Sequence, residues 1–231
     1  MGKEIELEAI QCGHQISMII DFNNSNNIEL INKENTDVVI EFTNPDSVTN
    51  NIIYCFKNNI PIITGTTGWF SKLEEISKAC TLNNGTLFYS PNFSIGVKLY
   101  FETATITSNI FNNFPEFNVS IEETHHTQKI DSPSGTAIAL ANNILPNLSN
   151  FNCWKKSEEC DNNSLPIISH RINETTGIHS LIFESESDRI EINHIAKNRK
   201  GFAKGAILAA EFVVDKKGIY TMSDLYKKIN K

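Results

Sequence analysis

The stretch Glu122-Glu123-Thr124-His125-His126-Thr127-Gln128-Lys129-Ile130-Asp131-Ser132-Pro133-Ser134-Gly135-Thr136-Ala137 decides the reading of this 231-residue chain. Ahead of it, the alternation of Phe117, Val119 and Ile121 predicts a strand; behind it, Ala137, Ile138, Leu140, Ala141, Ile144 and Leu145 recur at helical spacing until Pro146 stops them. The stretch is therefore a strand-to-helix loop that carries the imidazoles of His125 and His126 and the ammonium of Lys129. Ser132 or Ser134 can cap the helix, Pro133 suits its first turn, and Gly135 lets a ligand approach the free N–H groups, so Ser134-Gly135-Thr136 reads as an anion cradle. Imidazoles beside such a cradle read as an acid/base site for a carboxylate or phosphate substrate. Zinc is the competing reading and the weaker one: no third His or Cys stands at ligand spacing nearby, and the side chains of adjacent residues rarely converge on one metal.

Outward from the loop, the first part of the chain alternates helical and strand patterns. Residues 2–11 read as helix, 15–20 as strand, 38–42 as strand, 45–58 as helix, 61–64 as strand, 71–82 as helix and 86–89 as strand. That order predicts an α/β fold with a Rossmann-like parallel sheet domain. A helix around 96–110 opens a second, α+β domain. It contains the loop and further strands, among them 176–184 and 189–197, and Ala206, Ile207, Ala210 and Val214 mark an amphipathic helix over 203–214. The expected division is residues 1–91 with 203–231 for the dinucleotide, and 92–202 for the substrate. Asparagine clusters such as Asn23-Asn24, Asn58-Asn59, Asn112-Asn113 and Asn162-Asn163 read as turns and left-handed positions.

Composition excludes several classes. A net charge of −7 and a pI near 5.4 leave no basic face for a phosphate backbone, so no nucleic-acid partner is expected. No apolar run approaches the roughly 18 residues of a membrane helix, and Met1-Gly2-Lys3-Glu4 lacks the apolar core of a signal peptide, which places the expected protein in the cytoplasm. The five cysteines, Cys12, Cys55, Cys80, Cys153 and Cys160, are odd in number and scattered, so buried reduced thiols are expected.

The motif Glu-x-x-His-His-x-x-Lys-x-Asp-x-Pro-Ser-Gly-Thr-Ala resembles that of the 4-hydroxy-tetrahydrodipicolinate (dihydrodipicolinate) reductases of lysine and diaminopimelate biosynthesis. The likeness continues in order through Gly65-Thr66-Thr67-Gly68-Trp69, Ser90-Pro91-Asn92-Phe93-Ser94-Ile95-Gly96-Val97, the run from Arg171 to Gly177 with His179, Ile190-Glu191-Ile192-Asn193-His194 and Gly218-Ile219-Tyr220-Thr221-Met222. Ser132, where the family usually has Ala, and Lys98, where it has Asn, depart from the pattern.

The resemblance implies hydride transfer from NADH or NADPH to a small cyclic dicarboxylate, with His125 as proton donor, Lys129 as a carboxylate holder or second acid, and His126, Ser134, Gly135 and Thr136 as substrate contacts. Gly65, Thr66, Thr67, Ser90, Pro91, Asn92 and Phe93 match nicotinamide-cofactor positions, and a homotetramer is the family's usual assembly. Asp21, read as closing a strand, can accept hydrogen bonds from the adenosine ribose hydroxyls, with no Arg after it to greet a 2′-phosphate. Taken alone, Asp21 reads also as a turn residue and Gly65 to Gly68 as a tight turn. Arg171, His179, Arg189, His194 and Arg199 read as surface charges or core polar pairs, with Arg171 and His179 able to shape the pocket but outside the expected site set, and Trp69 as a packing residue. A related reductase of another small carboxylate, or a degenerate binder without turnover, are the alternatives. Because Met1-Gly2-Lys3 already enters a helix, the family's opening strand and Gly-x-x-Gly turn are expected upstream of Met1.

Overall fold

A computed structural model describes residues 1–173 and 175–229, the side chain of Ile229 excepted. The chain divides into two compact units, Met1–Ile95 with everything from Arg199 on, and Gly96–Asn198.

In the first unit, β1 (Val39–Glu41), β2 (Ile62–Thr64) and β3 (Thr86–Tyr89) form a parallel sheet that β9 (Gly218–Tyr220) extends beyond β3. The central strand β2 is buried throughout, the signature of a parallel sheet covered on both faces. On one face α2 (Val48–Lys57) and α3 (Leu73–Leu82) bring Val48, Ile52, Cys55, Phe56, Ile76 and Cys80 onto Ile62 and Leu87; the spacing of the first four is one turn or two, so they form a single stripe. On the other, α1 (Gly2–Gln11), α6 (Lys200–Val213) and α7 (Met222–Ile229) pack Ile5, Ala9, Ala203, Ala206, Phe212, Met222 and Leu225 against Ile63 and Phe88.

Several local expectations are corrected. Residues 15–20 form no strand: they join no ladder among the described residues, and a period of two makes a strand only where a neighbour supplies one. Asp21 therefore closes no strand; it caps the 3₁₀ stretch Phe22–Leu30, its carboxylate accepting from Asn23 N at 2.7 Å. Helix α2 starts at Val48 because the Asn44 side chain takes the N–H groups of Asp46 and Ser47 in a turn. Asn59 is left-handed, with φ 57°, as the asparagine clusters predicted. All five cysteines are free, but Cys12 and Cys153 are exposed, against the expectation of burial. No described helix is long and apolar enough to cross a membrane.

The second unit is a five-stranded mixed sheet in the order β5 (Cys153–Lys156), β6 (Ser164–Arg171), β4 (Asn118–His125), β7 (Ile178–Glu184), β8 (Arg189–Ile195), with α4 (Ile95–Phe111) and α5 (Gly135–Ile144) supplying Tyr100, Ala104, Ala137, Leu140, Ala141 and Ile144 to its core. Along β4, Val119, Ile121, Glu123 and His125 alternate on the buried face. Register stacks Ile167, Ile121 and Leu181 in one row across three strands, and Ser169, Glu123 and His179 in the next. Arg171 lies beside His125. The apolar core of this unit thus passes into a polar patch over one residue pair of strand length.

Candidate active site

The patch is built around a carboxylate. Glu123 is 1% exposed, and its Oε1 accepts from Ser134 N at 3.0 Å, Ser169 Oγ at 2.8 Å and an Arg171 terminal nitrogen at 3.3 Å. Its Oε2 makes no hydrogen bond but faces His125 Nδ1 at 3.3 Å and His179 Nε2 at 3.8 Å. Burial pushes the Glu123 carboxyl up, but the hydrogen bonds from Ser134 and Ser169 and the neighbouring His125 ring outweigh it and hold the group below the usual range. Burial lowers His125, against the pull of Glu123 and with the repulsion of Lys129 and Arg171.

His179 contacts His125 edge to face, ring centres 5.0 Å apart, and burial pushes it down to about 4. It is therefore neutral at neutral pH, and its Nε2 meets Ser134 Oγ at 3.2 Å. A folded value depressed from the ordinary 6.5 means that the unfolded chain binds the extra proton first. The stability His179 contributes is present above 6.5 and lost as pH falls toward 4; the full shift is worth about 3 kcal/mol. Denaturant midpoints measured across that window should fall with pH, and His179→Gln should flatten the slope; an unchanged slope would remove His179 as its source.

Ser134 is the helix cap, its Oγ accepting from Ala137 N at 3.2 Å. This settles the choice between Ser132 and Ser134, and it places Pro133 before the cap rather than in the first turn. Because the first intrahelical bond runs from Ile138 N to Ser134 O, the N–H groups of Gly135 and Thr136 precede it. Gly135 is exposed, and a Cβ there would meet nothing within 4 Å, so an anion has open access. Lys129 pairs with Asp131 at 2.7 and 2.9 Å, while Arg171 donates to the carbonyls of Asp131 at 2.6 Å and Lys129 at 3.4 Å and so pins this segment of the loop. His126 is half-buried on the same loop. At Gly177 a Cβ would lie 3.2 Å from His125 Nε2, so glycine there leaves room beside the ring.

Sequence reading missed Glu123, Ser169, Arg171 and His179 as site residues. The alternation from Val119 and Ile121 runs directly to Glu123 and His125, a signal that was available; Ser169, Arg171 and His179 come from other strands and depend on register. The ligand atoms of Glu123, His125 and His179 lie within 4.8 Å of one another, so the third group that spacing denied to a metal does exist in three dimensions. Arg171 already places a cation on that carboxylate.

In the first unit, the carboxyl ends of adjacent β1, β2 and β3 carry Phe42-Thr43, Gly65-Thr66-Thr67 and Ser90-Pro91-Asn92-Phe93 to one edge of the parallel sheet, where open α/β sheets bind ligands. Glu41, 3% exposed, ties two of these loops together: it accepts from Thr43 N at 2.9 Å, from Thr66 Oγ1 at 3.1 Å and from the Thr43 and Thr64 hydroxyls. Thr66 thus points inward, while Thr67 and Pro91 are exposed, Gly65 and Asn92 half-buried, and Ser90 and Phe93 buried, Ser90 Oγ donating to Asn92 O at 2.6 Å. Trp69 is a packing residue whose Nε1 donates to Thr66 O at 2.8 Å. The first turn of α1 has no side-chain cap and Gly2 has nothing near it, leaving N–H groups for a pyrophosphate; these features fit a dinucleotide.

A parallel-sheet unit with dinucleotide-type loop ends, on the same chain as a unit bearing a buried imidazole and carboxylate patch, is the build of a two-unit α/β oxidoreductase. Residues 2–93 match the family described as Dihydrodipicolinate reductase, N-terminus, and residues 96–226 that described as Dihydrodipicolinate reductase, C-terminus. The chain belongs to the dihydrodipicolinate reductase family. It is 39% identical to the 4-hydroxy-tetrahydrodipicolinate reductase of Christiangramia forsetii over 231 residues, all of this chain and 95% of that protein. Identity to the Thermosipho africanus enzyme of the same name is 33%, covering 99% of this chain and 94% of that one. Among solved structures, a dipicolinate-bound dihydrodipicolinate reductase from Paenisporosarcina sp. TG-14 superposes with a TM-score of 0.69 at 26% identity, over 87% of this chain and 76% of that one.

Proposed function

We propose that this chain reduces 4-hydroxy-tetrahydrodipicolinate to tetrahydrodipicolinate, the diaminopimelate-pathway reaction named for its relatives, in the cytoplasm and as a homotetramer. The observation that carries the reading is the convergence of His125, a half-buried Lys129 and the open N-terminus of α5 on one loop, which is what a cyclic dicarboxylate needs: a cation, a set of N–H donors and an acid. NADH or NADPH, bound at Gly65, Thr66, Thr67 and Ser90 to Phe93, supplies the hydride.

The chain's own residues do the rest. One carboxylate of the substrate takes Lys129 away from Asp131, exchanging a half-exposed pair for a ligand contact; His126 flanks it. The other carboxylate sits on Gly135 and Thr136 N–H, while Ser134, engaged with Glu123, Ala137 and His179, holds the helix end in place. The substrate's 4-hydroxyl leaves as water, which creates the ring double bond that is reduced; the dianion raises His125 again by adding negative charge beside it, and the imidazolium would then protonate the ring carbon next to the one that takes the hydride.

A coupled assay with aspartate semialdehyde, pyruvate and a condensing synthase, following loss of dihydronicotinamide absorbance, tests the reaction. Oxidation that depends on all three components is expected, and none above the rate without the synthase would overturn the proposal. In the same assay NADH should serve at least as well as NADPH, because the exposed Asp21 carboxylate accepts hydroxyls and repels a 2′-phosphate. A tenfold higher specificity constant for NADPH would remove Asp21 from cofactor choice.

A further inference from the structure

We propose that Glu123 is the positioning residue of the proton donor: it holds the Nδ1 side of His125, so that the proton delivered to substrate is the one on Nε2. The proposal rests on the reductase reading and adds a residue to it. Three observations carry it. Glu123 is the most deeply buried acid of the patch, with a side chain at 0% exposure, and every polar contact of its Oε1 is fixed by backbone, hydroxyl or guanidinium donors. Its Oε2 and His125 Nδ1 are both buried and without a hydrogen bond, and they face each other at 3.3 Å. The separation is already within hydrogen-bond reach, so a small turn of the ring or carboxylate on protonation or substrate binding aligns the pair into a charge-assisted N–H···O bond. Lastly, Gly177 leaves the opposite nitrogen, Nε2, without a side chain against it.

The groups around the ring are accounted for. From β7 comes His179, neutral; from β6, Arg171; from the loop after β4, Lys129 and Asp131, which offset one another when paired. Glu123 is the one buried anion among them, and with it in place a neutral His125 carries its proton on Nδ1. Uptake of a second proton at Nε2 gives the imidazolium; release of that proton to the ring carbon returns the Nδ1–H form, and solvent reloads Nε2. The substrate's 4-hydroxyl leaves as water to give the unsaturated ring, and hydride on one carbon with this proton on its neighbour completes the reduction, so that water and the oxidised nicotinamide are the other products.

Glu123→Gln tests this, since an amide oxygen can still accept from Ser134 N and Ser169 and keep the helix cap. The expected result is a fall in kcat of about tenfold or more with KM for the dicarboxylate little changed. The His125 ring, followed by NMR on the full-length chain, should titrate lower by about one unit, and Glu123→Asp should recover part of that shift. A folded Glu123→Gln whose His125 titrates as in the parent would overturn the proposal, and so would a raised KM with unaltered kcat, the mark of a helix anchor only. Should the variant not fold, the nitrogen shifts of His125 in the unaltered protein decide: an Nδ1–H tautomer supports the assignment and an Nε2–H tautomer refutes it. The ring titration needs no turnover, so it stands even if the coupled assay shows the substrate to be wrong.

Discussion

His125→Gln should lower turnover of the dicarboxylate by about a hundredfold or more, the usual scale for loss of a positioned general acid. Glutamine can occupy the ring's place and even meet Glu123, but it has no proton to give near neutral pH. Binding of NADH should be unaffected, because the residue belongs to the second unit and the cofactor loops to the first. Lys129→Met should cost about as much, for a different reason: it removes the cation that receives a carboxylate, so KM should rise as kcat falls. Steady-state kinetics separate the two. Either variant retaining more than half of parental turnover would take that residue out of the mechanism.

Gly205→Ala should unfold the first unit at markedly lower temperature. In an ordinary helix that exchange stabilises by about 1 kcal/mol, since glycine is a poor helix former. Here a Cβ on Gly205 of α6 would stand 1.7 Å from Phe93 O and 2.8 Å from Phe93 C, a collision with backbone that no rotamer relieves. Either α6 or the loop from Ser90 to Phe93 must move, and forced overpacking of this kind costs about 3 kcal/mol. Calorimetry should show a fall in Tm on the order of 10 °C. NADH affinity should fall with it, since the displaced loop is the proposed nicotinamide contact. A Tm equal to or above the parent's would mean that helix and loop separate easily, and the close approach would then be incidental.

How much of this was readable beforehand differs by element. Helix α1 was read to the residue and β3 likewise, because each is a short run whose pattern, helical or extended, depends on near neighbours alone. The loop's position and its Ser134 cap were legible for the same reason: His125, His126, Lys129 and Ser134 lie within ten residues, and capping is a local geometric rule. The segment 15–20 shows the limit, since its alternation is real but a ladder needs a second strand.

The sequence by itself determined the α/β class, the family and the strand-to-helix loop that carries His125. Only the tertiary structure decided what surrounds that imidazole. Ser169, Arg171 and His179 reach Glu123 because β6 and β7 pair with β4 in one register, and a slip of one residue would turn all three to the other face of the sheet. Register is set by the fit of whole apolar rows, such as Ile167, Ile121 and Leu181, between segments about 50 residues apart in the chain, and no local pattern contains that information. The same holds for Gly205 against Phe93: the glycine is a poor helix residue in sequence and a necessary one only because another part of the backbone passes where its side chain would be.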